Sequence, residues 1–281
     1  IVYGALGYFI LPVDLIPDWI PVIGLSDDFI VGFYSFIRRI PIDEVYVEVK
    51  EVINMDGTSM IPKVIHTFWF SGDIVPEEYR YCVDSWKRHC PDYEIKFWNQ
   101  TNYDCDKHSF MREAIKNRKW AFAADYARLD VLYEYGGIYM DMDVEVFRSL
   151  DNLLSFNGVF VHSDDRIDLA FFASSKGNPL LKDLKYVYDR VSYENTRQAL
   201  RFNLIQPELL KEVFYKRGVD AEDRLQKLDD TLILPSFTFF PWYWFDYSGE
   251  AINDCSYAIH HCAAGWFDKE DIEEREIRMR D

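Results

Sequence analysis

No stretch of the chain offers the 20 or so uninterrupted apolar residues that a membrane-spanning helix needs. The most apolar segment, Ile1 to Leu25, is cut by Pro12, Pro17 and Pro21 and carries Asp14 and Asp18. Proline breaks the helical hydrogen-bond ladder and an acid is costly in lipid, so two short helices joined by a proline-rich turn are expected there. Basic clusters are also missing: 31 Lys and Arg stand against 48 Asp and Glu, for a formal net charge of -17. A phosphate backbone rewards grouped cations, which argues against a nucleic-acid partner. Cysteine is sparse. Cys82, Cys90, Cys105, Cys255 and Cys262 include no C-x-x-C and match no common zinc spacing, so reduced, partly buried thiols in a cytosolic protein are expected. No signal peptide is visible, but the chain opens on Ile1 rather than Met, so that silence carries no weight. Internal repeats and low-complexity runs are absent.

What is present is a globular composition, 49% hydrophobic and 17% aromatic over 281 residues. A division into three parts is expected: a helical segment at 1–42, a linker at 43–59 and a larger domain at 60–281. Within the larger domain Ile61 to Phe70 reads as a buried strand, Pro76 to His89 as a helix and Tyr93 to Trp98 as a second strand. Phe110 to Tyr135 has helical spacing and stops at Gly136-Gly137, where glycine suits the cap. Ile138 to Val144 reads as the next strand. Strands alternating with helices indicate an α/β fold with a largely parallel sheet and ligands at the strands' carboxyl ends.

The chemistry concentrates in Gly136-Gly-Ile-Tyr-Met-Asp-Met-Asp143. On a strand, residues i and i+2 share a face, so Asp141 and Asp143 are expected to converge as a carboxylate clamp. Hard oxygen ligands select Mg²⁺ or Mn²⁺, ions that keep positions open for a substrate's phosphates. Two solvated acids in a turn is the competing reading. Asp125 and Arg128 lie three residues apart on one face of the preceding helix, either as an intrahelical ion pair or as contacts for ribose hydroxyls and diphosphate. Trp69 could stack on a nucleobase or fill core, and His66 reads as a core imidazole. Near the C-terminal end, His260-His261 could supply one neutral imidazole to the ion. The aromatic run Phe237 to Tyr247 reads as core or as a part-exposed acceptor cleft.

Several separated segments, in order, resemble the glycosyltransferases that share a DXD sugar-binding region. They are Ile61 to Trp69, Ser85-Trp86 with Pro91-Asp-Tyr93 and Phe97-Trp98, Ala124-Asp125-Tyr-Ala-Arg128, Gly136 to Asp143, and His260-His261 with Trp266. That family includes fungal initiating mannosyltransferases and bacterial capsule transferases. The resemblance implies a GT-A fold (the Rossmann-like fold of nucleotide-diphospho-sugar transferases) and retaining transfer of a hexose from a UDP- or GDP-sugar to a glycan or glycolipid acceptor. It implies Asp125, Arg128, Asp141 and Asp143 as the reactive set, and Ile65, Trp69, Asp125, Arg128, Tyr139, Asp141 and Trp266 as donor contacts. Asp143 and His260, with Asp141 through water, would hold Mn²⁺ or Mg²⁺. Two departures stand out: Gly265 occupies the usual serine position before Trp266, and the segment before Lys176-Gly-Asn-Pro179, which often carries an asparagine, has only Asp168 nearby. Residues from Tyr8 to Asp28 resemble a small uncharacterised YkvA-like bacterial domain, which implies at most a peripheral contact at the cytoplasmic face of a membrane. Bacterial surface polysaccharide synthesis is the setting this suggests. A degenerate transferase that binds a nucleotide sugar without turnover is the alternative.

Overall fold

The computed structural model describes residues 49–50, 60–72, 75–163, 166–194, 206–240 and 252–261. The expected N-terminal helices, nearly all of the linker, Gly265, Trp266 and the aromatic run beyond Phe240 lie outside the described residues.

A seven-stranded sheet organises the domain. Its strands are β1 (Val64–Phe68), β2 (Glu94–Trp98), β3 (Gly137–Met140), β5 (Gly158–Ser163), β6 (Arg166–Ser174), β7 (Gln226–Leu228) and β8 (Thr231–Leu234). Their spatial order is β2-β1-β3-β6-β5-β8-β7. β1, β2, β3, β5 and β8 run one way, β6 and β7 the other. The expected α/β class with parallel strands in its central sheet is therefore present. Half of its neighbouring pairs are nevertheless antiparallel, because β6 is inserted between two parallel sets and β7 pairs antiparallel with β8 at the edge.

Period 2 explains how each strand serves two cores. On β1, Ile65 belongs to one buried cluster while Phe68 and Phe70 belong to the other. Helices α2 (Ser109–Lys116), α3 (Trp120–Tyr135), α4 (Pro179–Tyr188) and α5 (Gln206–Lys216) contribute to the second cluster. Helix α1 (Arg80–His89) and a two-stranded ribbon of β4 (Val144–Val146) and β9 (Ala258–His260) contribute to the first.

Two expectations from the sequence need correction. The segment Phe110 to Tyr135 is two helices rather than one. Lys119 N–H bonds to the Ala114 carbonyl at 2.9 Å and Arg118 N–H to the Ile115 carbonyl at 3.0 Å, with Arg118 at φ +56°. Those two bonds form a Schellman stop built without glycine, so its usual sequence signal is missing. The segment Ile138 to Val144 is likewise not one strand. β3 ends at Met140, and Val144 N–H closes a turn onto the Asp141 carbonyl at 3.1 Å before β4 begins in the other sheet. Asp141 and Asp143 therefore converge because a turn brings them round, not through strand alternation.

The Gly136-Gly137 corner sets where β3 starts. Gly136 ends α3 at φ +70°, its N–H on the Leu132 carbonyl. Gly137 follows at φ +114°, and a Cβ there would stand 2.6 Å from the Val64 carbonyl oxygen. Only glycine lets β3 lie this close to β1.

Candidate functional site

The carboxyl ends of β1 and β3 lie side by side, since the strands are parallel with Ile65 opposite Ile138 and His66 opposite Tyr139. Trp69 leaves β1 and Asp141 leaves β3 at this same edge. Trp69 is half-buried and meets the Tyr79 ring edge-on, with centroids 5.8 Å apart. Ile65, by contrast, is fully buried in the core. Its side chain packs in the first cluster.

Arg128 is the hub of the edge. It lies on α3, 7% exposed, with one guanidinium nitrogen 2.8 Å from Asp125 and 3.7 Å from Asp141. It also donates to the Leu169 carbonyl at 2.8 Å and stacks its guanidinium 4.6 Å from the Tyr139 ring centre. Burial opposes its charge, but Tyr139, Asp141 and Asp125 outweigh that and hold it protonated. The intrahelical pair with Asp125 and the long-range approach to Asp141 thus coexist. Burial pushes the Asp125 carboxyl up to about 6, with Arg128 opposing and Asp141 and Asp168 adding to the rise.

Asp141 divides its two oxygens. The Tyr139 hydroxyl donates to Oδ1, the oxygen that also faces Arg128, while Oδ2 faces His260 at 4.0 Å. Tyr139 is 1% exposed, so its hydroxyl acts by orienting this carboxylate. Burial raises the Asp141 pKa against the pull of Arg128, and neighbouring Asp143 raises it further.

His260 arrives from the far end of the chain because β9 pairs antiparallel with β4, in the register Val144 to His260 and Val146 to Ala258. Its Nε2 stands 3.3 Å from Asp143 Oδ1. One ligand atom from each of Asp141, Asp143 and His260 lies within 4.8 Å of the others. Ligands about 2.1 Å from a common Mg²⁺ or Mn²⁺ stand about 3 to 4 Å apart, so two carboxylates and an imidazole at these spacings fit such an ion. His261 points elsewhere, its Nε2 3.2 Å from Glu145 and its ring against Tyr81.

His66 is the core imidazole expected. Its Nδ1 accepts from the Trp98 indole N–H at 3.0 Å, which leaves Nε2 as the donor to the Gly136 carbonyl, also at 3.0 Å. Burial pushes its pKa down to about 4. Phe239 is fully buried between Phe171 and Tyr257 and is core, whereas Phe237 and Phe240 are half-buried, Phe240 with its ring 5.8 Å from that of His260. The four described cysteines are thiols, three of them buried. Sequence reasoning missed the Leu169 carbonyl on Arg128 and the Ala170 carbonyl that holds Asp141 N–H at 2.8 Å. Every residue carries a carbonyl, so neither left a sequence signal.

Known proteins share these features. Residues 76–160 match the family model described as glycosyltransferase sugar-binding region containing DXD motif, and residues 1–34 match a protein of unknown function, DUF1232. Inositol phosphoceramide mannosyltransferase 3 of Schizosaccharomyces pombe is 32% identical over 157 residues, 50% of this chain and 40% of the relative. Mannosyl phosphorylinositol ceramide synthase SUR1 of Saccharomyces cerevisiae is 33% identical over 118 residues, 38% of this chain and 30% of the relative. The chain thus spans less than half the length of these curated relatives. Among solved structures, the PaToxG glycosyltransferase aligns with a TM-score of 0.46 at 19% identity, covering 66% of this chain and 80% of that one. A galactosyltransferase, LgtC, in complex with donor and acceptor sugar analogs aligns at 0.36 and 13%, covering 77% and 94%. The segment 76–160, which contains Asp125, Arg128, Asp141 and Asp143, is thus similar to the sugar-binding region of glycosyltransferases that contain the DXD motif.

Proposed function

We propose that the protein is a metal-dependent hexosyltransferase that moves a sugar from a UDP- or GDP-sugar to a glycan or glycolipid acceptor with retention of configuration. The observation that carries this reading is the convergence of Asp141, Asp143 and His260 at the carboxyl edge of the sheet, beside the buried Arg128–Asp125 pair. Asp143 and His260 would hold Mn²⁺ or Mg²⁺ directly and Asp141 Oδ2 through water. The bound ion would neutralise the charge that develops on the diphosphate as it leaves.

The remaining work falls to side chains. Arg128 supplies a fixed positive charge in a water-poor setting, where it counts for more than in bulk solvent. Asp125 accepts from ribose or sugar hydroxyls, and Tyr139 keeps Asp141 turned toward the ion. Trp69 offers a half-exposed ring for the base, and Trp266 is the further donor contact that the resemblance implies. Same-face transfer is the mechanism we favour, with the departing phosphate taking the proton of the acceptor hydroxyl. Mannose is the first hexose to try, because both named fungal relatives are mannosyl enzymes by title.

The expected division at 1–42, 43–59 and 60–281 belongs to the same reading. So do a cytoplasmic location, a peripheral membrane contact through residues 1–40 and a role in surface polysaccharide synthesis. The DUF1232 match at residues 1–34 supports a separate N-terminal part, and no described helix is long and apolar enough to cross a membrane. A second reading, a degenerate nucleotide-sugar binder, rests on Gly265, which lacks the hydroxyl usual before Trp266.

The test is to supply the donor that releases nucleoside diphosphate together with a simple sugar acceptor and to read the product's anomeric configuration by NMR. Retention supports same-face transfer, and inversion rules it out. Tight donor binding with neither hydrolysis nor transfer selects the degenerate binder.

A further inference from the structure

The strand that carries Asp143 into the cluster belongs to a ribbon of only two strands, three residues each. Such a ribbon has little stability of its own. Its inner bonds are conventional: His261 N–H reaches the Asp143 carbonyl at 3.0 Å, and Phe147 N–H reaches the Tyr257 carbonyl at 2.8 Å. The outer edge of β9 is held by main chain, with His260 N–H on the Phe239 carbonyl and Tyr257 N–H on the Thr238 carbonyl.

Among the described residues the outer edge of β4 has no strand beside it. Helix α1 lies there instead and answers with side chains. The Trp86 indole N–H donates to the Val144 carbonyl at 2.7 Å, and Val146 N–H donates to Ser85 Oγ at 2.9 Å. The Ser85 hydroxyl in turn donates to the Cys82 carbonyl at 2.5 Å, which anchors it to its own helix. Trp86 is fully buried and Ser85 is 1% exposed, so neither bond competes with water.

We propose that Ser85 and Trp86 are positioning residues that stand in for a third strand and thereby set the distance between Asp143 and His260. Val144 is the residue on which this turns. It follows Asp143 directly, it pairs with His260 in the ladder, and its N–H is tied to Asp141 while its carbonyl is tied to Trp86. A Val144 peptide freed on its outer side can tilt, and a tilt carries the Asp143 carboxylate with it. Sub-ångström support of this kind separates a working constellation from one that is merely present. The inference rests on the metal-site reading above.

The experiment measures Mn²⁺ binding to the full chain by electron paramagnetic resonance, alongside unfolding temperature. Trp86→Phe keeps a large ring and removes the N–H, and Ser85→Ala removes the acceptor. Tyr93→Phe serves as a control, since it removes a side-chain hydrogen bond of similar length, to Asp151 at 2.9 Å, in the same core cluster but away from the ribbon. The expected result is about tenfold weaker Mn²⁺ binding in both test variants, in the range known for outer-shell supports of metal ligands, and wild-type binding in the control even where the unfolding temperatures match. Wild-type Mn²⁺ affinity in both folded test variants overturns the inference and leaves the metal-site reading standing. A wild-type protein that binds no Mn²⁺ overturns both.

Discussion

Arg128 stacks its guanidinium 4.6 Å from the centre of the Tyr139 ring, and the two side chains then meet on the same oxygen of Asp141. The pair joins a helix to the strand beside it and places one buried positive charge between two partly buried carboxylates. Removing that charge leaves Asp125 and Asp141 without compensation. Arg128→Met is therefore expected to cost about 3–5 kcal/mol at neutral pH, as for other broken buried ion pairs. The loss should shrink in acid, where the carboxyls take up protons. Urea unfolding at pH 7 and pH 5 checks both statements.

Asp125 gives a pH dependence of defined sign. Its folded value of about 6 lies above the ordinary 3.8, because burial disfavours the charged form. The folded protein then binds this proton more tightly than the unfolded chain does. The group's contribution to stability is complete below about pH 4 and is lost as pH rises through about 6, by roughly 3 kcal/mol. In metal-free protein, Asp125→Asn should flatten this part of the stability profile between pH 4 and 7.

His66 works in the opposite direction. Its folded value near 4 lies below the ordinary 6.5, again because of burial. Its contribution is complete above about pH 6.5 and is lost as pH falls through about 4, roughly 3 kcal/mol in all. Protonation also removes the Nδ1 acceptor that the Trp98 indole uses. His66→Gln should be less stable than wild type at pH 7 yet lose less on going to pH 4, measured by urea midpoints.

Gly137→Ala tests the corner before the Asp-x-Asp turn. The added Cβ would meet the Val64 carbonyl at 2.6 Å and His66 Nε2 at 2.9 Å, in a backbone at φ +114°. A loss of at least about 2 kcal/mol is expected. Gly72→Ala is the comparison, since its φ of +80° is also positive but no atom lies within 4 Å of an added Cβ. It should cost less.

The alternation of strand and helix from Ile61 to Tyr135, and the importance of Asp141 and Asp143, could be read from the sequence. Period and spacing carry that information locally. The way the two acids meet could not, because a turn and a strand of the same residues look alike over three positions. Arg118 concealed the break between α2 and α3 by taking a positive φ without glycine. The pairing of β9 with β4 joins segments more than a hundred residues apart through only three residues each. No periodicity is visible in so short a strand, so the pattern left His260 and His261 as equal candidates and the resemblance singled out His260.

The most direct test of the account takes wild type and Asp143→Ala, both confirmed as folded, and follows nucleoside diphosphate release from a panel of UDP- and GDP-sugars at fixed Mn²⁺. Asp143 lies 3.3 Å from His260 and is the acid assigned to direct contact with the ion. The account predicts release from one donor by wild type, dependent on added Mn²⁺ and reduced at least about 100-fold in Asp143→Ala, a loss within the range for groups that stabilise transition-state charge. Equal release by both proteins, or release by wild type that chelation of the metal leaves unchanged, would contradict it.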